Sequence, residues 1–138
     1  MNGILFVYGT LIPGQEPVEM SSWVSQMKLI GPATIRGRLF DLGEYPGIVL
    51  DDAAGAVQGR ILTVPSEEVW RALDEYEGCP IPGSPEGLFR RVPAIAENEG
   101  GGRVECWVYV YSRDVHAARL VEGGCWLTYL RTSKMFPS

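Results

Sequence analysis

The 138 residues of this chain predict an α+β fold, a small mixed, mostly antiparallel β-barrel with one or two helices. Three observations lead there. About six or seven stretches carry β-forming residues in runs or in alternation. Several are joined by short turns rich in Gly, Asn and Asp, the chemistry of hairpins. Only the stretch after Pro65 has strong helical spacing. The length fits one domain, residues 1–138, around one core.

The first element is the apolar run Ile4-Leu5-Phe6-Val7-Tyr8. It reads as a buried strand that stops at Gly9 and empties into a loop through Thr10, Leu11, Pro13 and Gly14. Residues 21–27 suit a short helix with Trp23 and Met27 on one face. Residues 33–42 alternate imperfectly and read as a strand ending at Gly43. Glu44-Tyr45-Pro46-Gly47 is a turn, and Ile48-Val49-Leu50 is a short strand. Residues 51–55 form a hairpin-like connection into a strand over 57–64.

Ser66 is the N-cap of the one strong helix, with Glu67 and Glu68 in its first turn, where the dipole favours acid. Val69, Trp70, Leu73 and Tyr76 or Glu77 follow at helical spacing, and Gly78 and Pro80 stop it. The loop 79–87 holds three prolines and two glycines and is stiff. Residues 88–96 and 104–111 are strands, joined by the glycine-rich hairpin 98–103. Residues 114–121 suit a short helix, Gly123-Gly124-Cys125-Trp126 is a turn, and the tail beyond is short and mixed. The four tryptophans are most simply core.

A formal net charge of −5 argues against a nucleic-acid partner or an anionic membrane, since both need a basic face. No apolar run approaches the ~18–20 residues that span a bilayer, and no basic region precedes residues 4–8 as in a signal peptide. A soluble cytoplasmic protein is expected. Cys79, Cys106 and Cys125 are odd in number and lack metal-site spacing, which suits a reducing compartment. His116 is the only histidine, so a His-based triad or zinc site has little to build on.

Two segments carry chemistry. Gly9 leaves room for close approach of a ligand, and N–H groups around Thr10 form an anion-binding concavity. Asp74, Glu75 and Glu77 crowd a helix C-terminus, where the dipole opposes each charge by about 0.3–1 kcal/mol. Such local conflict marks a functional position. Val69, Leu73 and Glu77 share a face, so Glu77 points inward where the core opens to the loop. On this reading Asp74 falls off that stripe and Glu75 faces away. Arg90 and Arg91 lie on opposite faces of a strand, so at most one reaches the pocket, to brace the acidic helix end or to touch substrate.

Together these segments resemble the γ-glutamylcyclotransferase-like superfamily, in the branch of γ-glutamylamine cyclotransferase and AIG2-like proteins, over nearly the whole chain. Val7-Tyr8-Gly9-Thr10-Leu11 matches the family's opening motif, and Leu73-Asp74-Glu75-Tyr76-Glu77-Gly78 matches the helix end with its catalytic glutamate. Glu44-Tyr45-Pro46-Gly47 is similar to its aromatic-Pro turn. Leu88-Phe89-Arg90-Arg91-Val92 is similar to its aromatic-Arg strand, with Phe89 where tyrosine is common. Trp107-Val108-Tyr109-Val110-Tyr111 and Gly124-Cys125-Trp126 resemble its last strand and closing turn.

The resemblance implies an enzyme without cofactor or metal. It would convert a small γ-glutamyl amide to 5-oxoproline and a free amine, the substrate's own α-amine attacking its γ-carbonyl. Glu77 would be general base and acid, and Tyr8, Gly9, Thr10, Leu11, Tyr45, Phe89 and Tyr111 would bind substrate. Loop 79–87 would be a rim setting amine specificity. Two other readings stay open: a non-catalytic small-anion-binding module on the same scaffold, and an interaction protein using the aromatic strand 107–111.

Overall fold

Seven strands and a few short helices make up the computed structural model, which describes residues 3–9, 18–43, 45–77 and 89–131. Strand β1 (Ile4–Val7) lies between β4 (Ala56–Thr63), antiparallel to it, and β6 (Arg103–Tyr111), parallel to it. Strand β6 pairs antiparallel with β5 (Phe89–Asn98), and β4 with β2 (Lys28–Asp41). Strands β2 and β5 then meet at Ala33–Asn98 and Thr34–Glu97, which closes a five-strand barrel. The last part of β2 leaves the ring. It pairs with β3 (Pro46–Leu50) and, at Phe40 and Asp41, with β7 (Arg119–Leu120).

Alternation along the strands sorts the core into two clusters. Phe6, Ile35, Ile61, Ala96 and Val108, one from each ring strand, pack together and fill the barrel. Leu5, Val7, Leu62, Val64 and Tyr109 face the other way and are covered by Val69, Trp70 and Leu73 of α2 (Glu67–Tyr76). Burying Leu73 completely contributes about 1.5–3 kcal/mol to this docking. The Ser66 hydroxyl starts the helix as expected, accepting from the Val69 N–H at 3.3 Å. A 3₁₀ turn (Val18–Met20), α1 (Ser21–Val24) and α3 (Trp126–Tyr129) are single turns.

Three expectations are corrected. Strand β2 begins at Lys28, not near residue 33. Its first part has exposed side chains and a register shift between Leu29 and Gly31, so it shows no alternation. Residues 51–55 do not join hairpin partners, because β3 and β4 both pair with β2. Residues 114–121 are not a helix. The Asp114 carboxylate accepts from the His116 N–H at 2.9 Å, a local bond that competes with helix, and β7 follows. The expected turn at Gly123 and Gly124 is present with φ of 86° and 65°, and α3 occupies the start of the tail.

Candidate functional site

The stripe Val69–Leu73–Glu77 runs down α2 into the site. Val69 and Leu73 are fully buried, and Glu77 caps the helix with its N–H donating to the Leu73 carbonyl at 2.9 Å. Glu77 is half-buried, and loss of hydration pushes its carboxyl up to about 8. Its charge reaches the end of β1. The Tyr8 phenol is raised well above its ordinary value, first by burial and then by Glu77, and Tyr109 is raised by burial, by Asp74 and by Glu77. Tyr109 bonds both to Tyr8 and to Asp74, so the end of β1 and the last turn of α2 lie to either side of it.

Tyr8 is buried, and its hydroxyl donates to the Tyr109 carbonyl at 2.6 Å and accepts from the Ile48 N–H at 3.3 Å. It ties β1 to β6 and β3. Gly9 has a different physical reason from the one expected. A Cβ there would lie 2.5 Å from Cγ and 3.0 Å from Cδ of Pro46, so the space is taken by a proline ring and not kept for a ligand. Gly9→Ala should displace the start of β3 and cost about 1–3 kcal/mol, read from the urea midpoint. An unchanged midpoint would show that Pro46 moves freely. Thr10, Leu11, Gly14, Glu44 and the loop 79–87 lie outside the described residues.

Phe89 is buried between two half-buried rings, with centroids 5.9 Å from Tyr45 and 5.5 Å from Tyr111, both tilted. These three belong to the cluster that α2 covers.

Asp74 is where the sequence reading went wrong. It is buried and forms the centre of a polar network. Arg91 Nε and Nη2 donate to its two oxygens at 2.9 and 3.1 Å, and the Tyr109 hydroxyl donates to Oδ1 at 2.6 Å. The Arg91 guanidinium sits in the corner made by the Trp70 and Trp107 rings, which meet edge to face, 4.2 and 4.9 Å from their centroids. Arg90 is exposed. The missed signal was spacing, since Trp70 and Asp74 are four apart and share a helix face just as Leu73 and Glu77 do.

A family model described as gamma-glutamyl cyclotransferase, AIG2-like, matches residues 5–128. The chain belongs to this family. Its membership places it in an enzyme class. One relative of this γ-glutamyl cyclotransferase family member is the gamma-L-glutamyl-butirosin B gamma-glutamyl cyclotransferase of Niallia circulans, 38% identical over 80% of this chain and 67% of that protein. Another is the gamma-glutamylaminecyclotransferase of Rattus norvegicus, 31% identical over 76% of this chain and 75% of that protein. Among solved structures, YkqA of Bacillus subtilis shares the fold with a TM-score of 0.74 at 23% identity. That match takes in 99% of this chain but 44% of YkqA, so the chain spans less than half of that protein.

Among the described residues of this cyclotransferase family member, no three His, Cys, Asp or Glu side chains are grouped to hold a metal, and no helix is long and apolar enough to cross a membrane.

Proposed function

We propose that this chain is a cytoplasmic γ-glutamyl amine cyclotransferase that converts a γ-glutamyl amide to 5-oxoproline and a free amine. The substrate's α-nitrogen attacks its own γ-carbonyl carbon. The ring C–N bond forms, the amide C–N bond breaks, and the amine leaves. Glu77 takes one proton from the α-ammonium before the attack and delivers it to the departing nitrogen; the second proton, shed by the ring nitrogen after the attack, follows the same way, so the amine leaves as an ammonium ion.

The observation that carries this is the half-buried Glu77 carboxyl at the end of α2, pushed up to about 8 by loss of hydration. A carboxylate raised from its usual range toward that of an α-ammonium accepts the proton more readily than an ordinary carboxylate would. An intramolecular nucleophile needs no serine or cysteine, and a bent near-attack pose supplies up to roughly 7–11 kcal/mol in ideal cases. In this reading backbone N–H groups at Gly9, Thr10 and Leu11 hold the substrate carboxylate or the developing oxyanion. Tyr45, Phe89 and Tyr111 form an aromatic wall, and the loop 79–87 selects the amine. The activities after which the two relatives are named support the class. The odd cysteine count supports the reducing compartment.

The test is 5-oxoproline release from γ-glutamyl-ε-lysine, several γ-glutamyl amines, γ-glutamyl dipeptides and glutathione. Release from the amines, at rates that rank them, is the expected result. Silence from folded protein across the panel overturns it. Thermal stabilisation by glutamate-like anions in that silent case would favour the binding-module reading.

A further inference from the structure

We propose that Tyr109 is a positioning residue that fastens Glu77 to the end of β1, an inference that rests on the cyclotransferase reading. Tyr109 is held at both ends. Its hydroxyl donates to Asp74 Oδ1 at 2.6 Å, and its carbonyl accepts from the Tyr8 hydroxyl, also at 2.6 Å. One residue of β6 thus grips the last turn of α2 and the residue before Gly9. Asp74 is held in place, because Arg91 bonds both its oxygens and is itself seated against the Trp70 and Trp107 rings. Glu77 follows Asp74 by less than one helical turn, and its N–H is bonded to the carbonyl of Leu73, next to Asp74. A tilt of this turn would carry the Glu77 carboxylate across the site. Misplacement by about 1 Å is enough to cost about 100-fold in rate.

Tyr109→Phe removes the hydroxyl and keeps the buried ring. It should lower kcat about 10- to 100-fold on the best γ-glutamyl amine, with KM within about threefold of wild type. Val69→Ala, at the far end of α2, loosens the same helix packing and should leave kcat unchanged. Wild-type kcat in Tyr109→Phe overturns the proposal. So does an equal kcat loss in Val69→Ala at matched loss of stability, since loosened packing would then suffice. If Tyr109→Phe fails to fold, Tyr8→Phe takes its place. It keeps the buried ring but cuts the bond to the Tyr109 carbonyl at the other end of the tie, and it should lower kcat at constant KM. Wild-type kcat there overturns the proposal equally. The two readings fail separately: an active Glu77→Gln removes the cyclotransferase mechanism, whereas an inactive Glu77→Gln beside a fully active Tyr109→Phe removes only this one.

Discussion

Glu77→Gln should fold like the wild type and release 5-oxoproline about 10²–10⁴-fold more slowly. The amide keeps the size of the side chain and cannot accept a proton. The pH profile carries the same argument. In the free wild-type enzyme the carboxylate forms only near pH 8, so kcat/KM should rise toward that value and level above it. Glu77→Gln should lack this limb. Near-normal turnover, or an unchanged limb in the variant, would sink the mechanism.

The same substitution should stabilise the protein, with a sign fixed by linkage. The folded carboxyl keeps its proton to about 8, whereas the ordinary value is 4.5. Folding carries no cost from this group below pH 4.5, loses stability steadily from there to about 8, and bears the full cost above it. The ceiling is about 4–5 kcal/mol, and water reaching a half-buried group reduces it to about 1–3 kcal/mol. Urea unfolding at pH 9 should therefore favour Glu77→Gln, and the gain should vanish below pH 4.5. Equal stability at pH 9 would show that the folded protein does not strain this carboxylate.

Arg91→Met should cost about 3 kcal/mol or more, a larger stability effect than any other single change considered. The variant keeps much of the stem against the tryptophans but leaves the Asp74 carboxylate with its cation gone. Both side chains of this pair are only 11% exposed, so water cannot replace what is lost. Adding Asp74→Asn removes the stranded charge and should recover part of the loss. A double variant as unstable as the sum of the two singles would show that stacking, and not charge pairing, holds Arg91.

The strand ending at Tyr8 and the helix ending near Glu77 were legible because each segment carries its own local signal, a strand broken at glycine and an acidic helix end. The capped helix and the glycine-rich hairpin at 98–103 were legible for the same reason. What escaped depends on distant partners. Lys28 to Pro32 has exposed side chains, and only the backbone of β4 makes it a strand. Residues 51–55 look like a hairpin, yet their flanking strands are parted by β2. The short β7 owes its form to Phe40 and Asp41. Asp74 was misread because one stripe was followed down the helix where two were present. Gly9 was read as space for a ligand because nothing local shows that Pro46 fills it.

The parallel seam between β1 and β6 sets an order of events during synthesis. Tyr8 and Tyr109 stand 101 residues apart in the chain, so β1 is made long before the strand that it pairs with in parallel. Until β6 leaves the ribosome, β1 can pair with β4 on one side only and offers its other edge to any passing strand. Ribosome-stalled chains ending before Arg103 should thus remain cleavable by protease within β1, and those tethered by a linker long enough to bring Tyr111 out of the exit tunnel should not. Early protection would mean that the nascent chain shields this edge by some other contact.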